Sequence, residues 1–211
     1  MHFIPDHVYH LYNRGNNKQR IFFTERNYQF FLEKIKTQLS PVCEIVCWCL
    51  MPYHFHLMVY VTQKSCCERA SFGGKPMQEL AYRIGILLSS YSQAINKQNG
   101  TTGSLFQQKT KAKCVSCLQS GCGDQSNLNA VSTNDNYLIT CLHYIHQNPW
   151  KANLVNQLED WKYSSFRQYI GKDNHLSCHH DLLRSLTGYQ IDTFYQDSYG
   201  VLDKEVLKNI W

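Results

Sequence analysis

Two histidines stand one residue apart, at His54 and His56, in a run of β-forming residues. Because the side chains of a strand alternate between its faces, the two imidazoles share one face and lie about 6–7 Å apart. At that distance both rings can bind one divalent metal ion. The alternative is a pair of unrelated histidines on a half-polar face. The opposite face is apolar and predicts contact with the protein core: Phe55, Leu57, Val59 and Val61.

A second candidate group lies on a segment with helical periodicity, residues 135–148, which ends before Pro149. Its buried stripe has amphipathic spacing: Leu138, Leu142 and Ile145. Tyr144 and Asn148 lie one turn apart on an adjacent stripe, since consecutive helical residues are rotated by about 100°. Asn148 falls at the C-terminus of the helix, where the dipole favours a nearby cation. The pattern allows a phenol and an amide oxygen beside a metal ion; a packed tyrosine and a helix-ending Asn-Pro pair are the alternative.

The elements that must position these residues follow from hydrophobic patterning and turn signals. Strands are predicted at 8–12, 42–50, 54–61 and 105–115, and helices at 25–39, 77–97 and 135–148. Only a short turn separates the second and third strands, which predicts an antiparallel hairpin. The order β-α-β-β-α-β-α predicts an α+β fold of ferredoxin-like type, with an antiparallel sheet and flanking helices.

Composition excludes several classes of protein. The 211 residues are 43% hydrophobic and 18% charged, which suffices to bury a core and argues against intrinsic disorder. No apolar run is long enough to span a membrane, and the N-terminus lacks the pattern of a signal peptide. These features predict a soluble, cytoplasmic protein with no membrane partner. The net charge of +5 is compatible with nucleic acid, and the many aromatic side chains suit base stacking, with an aromatic core as the alternative.

The ten cysteines are expected to be mostly free thiols, as in other intracellular chains. Three of them form a C-x2-C-x4-C cluster at Cys114, Cys117 and Cys122. A fourth ligand is not evident, although Cys141 or a histidine could serve. Most of the cluster falls in a segment rich in Ser, Asn and Cys, residues 116–134, which we interpret as an inserted loop. A structural zinc ion and a thiol-bearing loop are the two alternatives here.

Four short motifs stand in order along the chain. They are residues 7–15 (HVYHLYNRG, followed shortly by IFF), 49–57 (CLMPYHFHL), 144–152 (YIHQNPWKA) and 161–166 (WKYSSF). The first resembles the opening of the HUH single-tyrosine transposases, and the second resembles their metal-binding strand. The last two resemble the tyrosine helix of that family and the segment that follows it. Within the family, the resemblance is greatest to the REP-associated tyrosine transposases, which act on repetitive extragenic palindromes.

The resemblance implies an HUH tyrosine transposase domain over residues 1–170, with 171–211 as a C-terminal extension whose role it does not define. It implies an antiparallel sheet with flanking helices, assembly as a homodimer, and cleavage of single-stranded DNA near a hairpin. Two departures are visible. Tyr53 stands where many relatives have Asn, and Asn153 stands where Gly is commoner.

The resemblance also implies a mechanism. His54 and His56 would bind Mg²⁺ or Mn²⁺, with Asn148 as the third ligand. Tyr144 would attack a scissile phosphate, form a 5′-phosphotyrosine and free a 3′-hydroxyl, and reversal of this step would rejoin strands without ATP. A phenol with a pKa of about 10 is a poor nucleophile at neutral pH, so a divalent ion that polarises the phosphate supplies the missing activation.

Three other residues of the tyrosine helix are given different roles. Tyr137 shares a side with Tyr144 and is the rival nucleophile, but only Tyr144 precedes Asn148 by one helical turn. His143 and His146 are expected at the protein surface rather than at a metal ion.

Two basic groups are candidates for DNA binding. The first lies in the loop after the first strand and contains Arg14, Lys18 and Arg20; solvated loop charges are the alternative. The second alternates along the last predicted strand and would point one way, with protection of a sheet edge as the alternative: Lys109, Lys111 and Lys113.

Two other functions compete with a nicking and joining transposase. One is a hairpin-DNA-binding protein that keeps the fold and does not cleave, against which the intact His54, His56, Tyr144 and Asn148 argue. The other is a zinc-binding nucleic-acid module built on the cysteine cluster.

Overall fold

The structure, a computed structural model, describes residues 1–70, 73–116, 134–172 and 176–202, without the side chains of 134–136. Its strands are β1 (His7–Arg14), β2 (Cys43–Met51), β3 (His54–Val61), β4 (Glu68–Ala70), β5 (Pro76–Gln78) and β6 (Lys111–Cys114). Its helices are α1 (Glu25–Gln38), α2 (Glu79–Asn99), α3 (Asn134–Lys151), α4 (Phe166–Tyr169), α5 (His180–Thr187) and α6 (Phe194–Asp197). None of the helices among these residues is long and apolar enough to cross a lipid bilayer.

Four strands form one sheet in the order β2-β3-β1-β6, and every pairing in it is antiparallel. The β2–β3 hairpin is the one predicted from the short turn between the two strands. β1 pairs with β3 along its whole length and with β6 on its other edge. Because α1 connects the first two strands and α2 precedes the last, this is the ferredoxin-like arrangement, and the predicted α+β fold is confirmed.

The sheet is buried on both faces. One face packs against α1 and α2 and carries the apolar residues of β3, as the alternation predicts: Phe55, Leu57, Val59 and Val61. On the other face, Met58 of β3 and Cys47 of β2 lie in one buried cluster with Leu142 and Ile145 of α3. The face of β3 that carries His56 is therefore covered by a helix, and its polar side chains lie inside the protein.

The last strand is shorter than the sequence predicts. β6 covers Lys111–Cys114 and not 105–115. Before it the ladder is interrupted: Phe106, buried in the core, forms an isolated bridge with Gly15, and Asn13 Nδ2 donates to the carbonyl oxygen of Gln107 and to Thr110 Oγ1. Lys109 thus lies outside the strand and does not share the alternation of its residues.

α3 continues through Pro149 to Lys151, whereas the sequence predicts an end at Asn148. Pro149 has no N–H to donate, but in the last turn its ring removes only one hydrogen bond of the helix. The N–H of Ala152 still donates to the carbonyl oxygen of Asn148 at 3.0 Å. Asn148 therefore lies within the last turn of the helix, with three further helical residues after it.

Residues 176–202, from the predicted C-terminal extension, cover the part of α3 that the sheet leaves open. Leu183 of α5 and Phe194 of α6 are buried in the same cluster as Leu142 and Ile145. α3 is therefore held between the sheet and this C-terminal segment.

Of the predicted cysteine cluster, only Cys114 lies among the described residues; Cys117, Cys122 and nearly all of the predicted inserted loop fall outside them. Cys114 is disulfide-bonded, which corrects its assignment as a thiol. A disulfide sulfur cannot act as a zinc thiolate, since the thiolate is the ligand. The other cysteines of the described ranges are free, as predicted.

Candidate functional site

The two histidines of β3 lie at the end of the strand, against the last turns of α3. His56 is fully buried and His54 partly buried. Their ring centroids are 4.9 Å apart, with the ring planes at 81°. Strand pairing fixes both backbones. His54 is opposite Arg14 and Met51, and His56 is opposite Tyr12 and Cys49. The alternation in the sequence thus produces two adjacent imidazoles on the face that α3 covers.

α3 brings Asn148 and Tyr144 to these imidazoles. Asn148 Oδ1 lies 3.5 Å from His54 Nε2, and the Tyr144 ring meets the His56 ring edge to face at 5.6 Å between centroids. Asn148 Nδ2 donates to the carbonyl oxygen of Tyr144 at 2.8 Å, which turns the amide oxygen towards His54. The structure therefore brings together in one chain the four residues that the sequence singled out for metal binding and nucleophilic attack.

His10 belongs to this site and was missed in the sequence. Its Nε2 lies 2.9 Å from His56 Nδ1, the two rings stack at 5.0 Å, and only 1% of His10 is exposed. The alternation of β1 already places His10 and Tyr12 on one face. What the sequence lacks is the strand order, because only the pairing of β1 with β3 shows that this face carries His56.

Burial keeps the imidazoles of the site neutral. It lowers the pKa of His10 to about 3, with the charge of Lys113 as a smaller cause. It also lowers the pKa of His56, with a further contribution from His10, and the pKa of His54, where a hydrogen bond with Asn148 partly opposes the shift. Neutral imidazoles are the form that binds metal ions.

The phenol of Tyr144 is only 8% exposed, and burial raises its pKa above the ordinary value. A hydrogen bond with the Asn148 side chain acts in the opposite direction but does not cancel the effect of burial. The phenolate is therefore scarce at neutral pH unless a cation lies close to it.

The donor atoms present fit a divalent cation. Within the described ranges, no group of three or more His, Cys, Asp or Glu side chains is placed to hold a metal ion. The candidate set is therefore the two imidazoles of His54 and His56 with the amide oxygen of Asn148. Two ligand atoms bound at right angles to one ion, each at about 2.1 Å, lie about 3 Å apart, which the His54–Asn148 separation approaches. Nitrogen donors favour Mn²⁺ over Mg²⁺, which prefers oxygen ligands.

Two of the predicted DNA-binding cations lie beside His54. Arg14 and Lys18 line a cleft of about 370 Å³ together with Tyr53 and His54. Arg20 is not among the residues that line this cleft. Its charge acts on Tyr28 of α1: burial raises the pKa of Tyr28 to about 12, and the positive charge of Arg20 partly opposes that shift.

The lysines of the last predicted strand separate into two groups. Lys111 pairs with Tyr12 and Lys113 with His10, so both share the sheet face of the candidate site. Lys113 Nζ lies 6.0 Å from the centre of the Tyr137 ring. Lys109 instead lines a different cleft, which is formed mainly by α2 and by the residues between α2 and β6.

His143 and His146 are buried, and the prediction that they lie at the surface is wrong. His143 Nδ1 lies 3.0 Å from Ser198 Oγ, and His146 Nε2 lies 2.8 Å from Ser165 Oγ. The physical reason is that residues after α3 cover the helix. These two histidines form hydrogen bonds with the segments that follow α3 and take no part in the group around His54.

Comparison with known proteins supports the fold. No protein-family model matches the chain, and no curated protein matches it significantly. Among solved structures, the chain is similar to a REP-associated tyrosine transposase bound to a REP hairpin. The match covers 91% of this chain and 87% of that chain, with a TM-score of 0.54 and 17% sequence identity. At this identity the finding establishes a shared fold.

Proposed function

We propose that this protein is a metal-dependent DNA transposase that nicks single-stranded DNA near a hairpin through Tyr144 and joins strands again. The observation that carries the proposal is the meeting of Tyr144 and Asn148 on α3 with His54 and His56 on β3. The fold shared with a REP-associated tyrosine transposase bound to a REP hairpin supports the same class of substrate.

In this mechanism His54, His56 and Asn148 would hold one Mn²⁺ or Mg²⁺ ion. When bound, the ion polarises the scissile phosphate and stabilises the negative charge of the transition state. The interlocked hydrogen bonds of the site keep the ligands in place. Asn148 is anchored to the backbone of Tyr144, and His56 to His10, so two of the three ligand side chains have a partner that fixes their orientation.

Tyr144 is the nucleophile. Its phenolic oxygen forms a bond to phosphorus, the bond from phosphorus to the 3′-oxygen breaks, and the phenol proton is balanced by the proton that the 3′-hydroxyl gains. The product is a 5′-phosphotyrosine, in which the energy of the phosphodiester is retained. Attack by the same or another 3′-hydroxyl reverses the step, so joining needs no ATP. Placement next to His56 keeps the tyrosine within reach of a phosphate bound there.

Cations on the same side of the sheet bind the DNA backbone. Arg14 and Lys18 flank His54, and Lys111 and Lys113 share the face of His10. Contacts of this kind position the strand without reading its sequence. Because one chain supplies all four central residues, we propose that Tyr144 acts on DNA held by its own chain, also within the homodimer that the family resemblance implies.

One observation favours a second function. The burial of Tyr144 and its raised pKa are also compatible with a hairpin-DNA-binding protein that does not cleave. The two functions differ in whether a covalent bond to DNA forms.

The test is a covalent-adduct assay with labelled single-stranded hairpin oligonucleotides and Mn²⁺, separated on denaturing gels. We expect an adduct with the wild-type protein and with Tyr137→Phe, a control on the same helix. We expect none with Tyr144→Phe or with EDTA. An adduct that survives in Tyr144→Phe would contradict the proposal, and tight binding without any adduct would favour the non-cleaving function.

A further inference from the structure

The cleft beside His54 contains an exposed aromatic ring that the mechanism does not use. Tyr53 occupies the turn between β2 and β3, directly before His54, and is 53% exposed. Among the described residues, its side chain makes no hydrogen bond or ring contact. A tyrosine ring exposed at the entrance of a site offers an apolar face and a polar tip to a ligand.

The backbone under Tyr53 is held rigidly. The N–H of Gly15 donates to the carbonyl oxygen of Tyr53 at 2.8 Å, and the N–H groups of Ile21 and Phe22 donate to the carbonyl oxygen of Pro52 at 2.8 and 3.2 Å. A side chain at position 15 would collide with the carbonyl oxygen of Gln19, so the tight fold of the loop that donates to Tyr53 requires glycine. The ring is thus presented on a fixed turn and not on a free loop.

The cleft is cationic. Its lining consists of Tyr53, His54, Arg14 and Lys18, with no carboxylate among these residues. Asn17 and Lys18 both have left-handed backbone conformations, with φ of 49° and 57°, which non-glycine residues seldom adopt. Such strain is characteristic of functional loops, and here it fixes the segment that carries Lys18. An aromatic face and two cations in one cleft are the combination with which proteins bind single-stranded nucleic acid.

We propose that Tyr53 is a stacking platform for one unpaired base next to the scissile phosphate, while Arg14 and Lys18 bind the phosphates on either side of it. This inference rests on the proposed function, because it places the neighbouring phosphate at His54, His56 and Asn148. Every base has a stacking face, so the platform sets the register of the strand and adds affinity without selecting a base.

The test measures binding in EDTA, where cleavage does not occur, with the full chain and a fluorescent hairpin oligonucleotide that carries thymidine flanks. We expect Tyr53→Ala to weaken binding by about 5- to 150-fold, the range for loss of one base–aromatic stack. Tyr53→Phe, which keeps the ring, is expected to bind as the wild type does. Tyr195→Ala is the matched control, because Tyr195 is also an exposed tyrosine, 44% exposed, on α6.

An abasic scan of the flanks then locates the stacked base. Removal of one particular base is expected to weaken binding to the wild type and to leave binding to Tyr53→Ala unchanged, because the two losses remove the same contact. Equal binding by Tyr53→Ala and wild type, additive losses at every abasic position, or no binding of the oligonucleotide by the wild type would each overturn the platform. The covalent adduct of Tyr144 is a separate readout: its absence with a normal Tyr53 effect contradicts the proposed cleavage and leaves the platform standing.

Discussion

Two pairs of histidines lie inside this protein, and they differ in what surrounds them. His54 and His56 on β3 meet an amide oxygen and a phenol, next to a cationic cleft. His143 and His146 on α3 meet serine hydroxyls and aromatic rings of the segments that follow α3. Burial lowers the pKa of all four. A buried neutral histidine is therefore not in itself a sign of a metal site; the neighbouring donor atoms and the access to solvent make the difference.

The largest expected effect separates the two pairs by activity. His54→Ala is expected to lower the rate of adduct formation by about 100-fold or more, because a ligand of the ion that stabilises the transition state is lost. His54 is partly exposed, so the fold should tolerate the change. The control is His146→Ala, measured on its correctly folded fraction. Its rate of adduct formation is expected to stay near that of the wild type. Similar losses in both variants would remove the distinction between the pairs.

His10 extends the first pair by one residue, and its effect should appear in metal affinity. Nδ1 of a metal-binding His56 must carry its proton and donate it to His10 Nε2. His10→Phe is expected to weaken Mn²⁺ binding by about 10- to 100-fold, measured by calorimetry or electron paramagnetic resonance. His10→Gln retains an acceptor and is expected to restore much of the affinity. Unchanged affinity in His10→Phe would show that the hydrogen bond does not orient His56.

The second pair, His143 and His146, is expected to contribute more to the stability of the fold than the first. His146→Ala removes a fully buried ring that bonds Ser165 and packs against Phe166, Tyr169 and Phe194. We expect the free energy of unfolding to fall by about 2–4 kcal/mol, from the cavity and the unsatisfied hydroxyl. Urea denaturation measures the change, with His54→Ala as the control that loses less than His146→Ala. The opposite order would mean that the β3 pair is the structural one.

The smallest expected effect is a dependence of stability on pH. Burial lowers the pKa of His143 from 6.5 to about 4, although the nearby Asp197 opposes the shift. The unfolded chain therefore binds a proton that the folded chain does not, and stability falls as the pH decreases from 6.5 towards 4. One such group contributes a slope of about 1.4 kcal/mol per pH unit in this window. His143→Asn should reduce the slope of unfolding free energy against pH by about that amount, and an unchanged slope would place the titration elsewhere.

The sequence predicts well what depends on local pattern. The strand at 54–61 and its hairpin with β2 follow from alternation and a short turn, and α1 begins at the predicted residue, Glu25. The same holds for the arrangement of Tyr144 and Asn148 on one side of a helix. These features depend on residues that are close together in the sequence, so the local pattern of residue types is enough to predict them.

What depends on distant packing could not be predicted. His10 joins the site only because β1 inserts between β3 and β6. His143 and His146 become buried only because segments that follow α3 and lack a clear periodicity, with Ser165 and Ser198, cover the helix. Lys109 lies in an interruption of the strand, where Asn13 Nδ2 donates to the carbonyl oxygen of Gln107 and to Thr110 Oγ1. In each case the determining contact joins segments that are far apart in the chain.

The central claim is that Tyr144 bonds covalently to DNA, and peptide mapping of the adduct tests it most directly. The protein is incubated with Mn²⁺ and a hairpin oligonucleotide, digested with protease and nuclease, and the modified peptide is identified by mass spectrometry. We predict a nucleotide remnant on Tyr144, joined through a 5′-phosphate, and absent when EDTA is added. A remnant on Tyr137 or on any other residue, or an unmodified Tyr144 in a sample that has cut its DNA, would contradict the assignment.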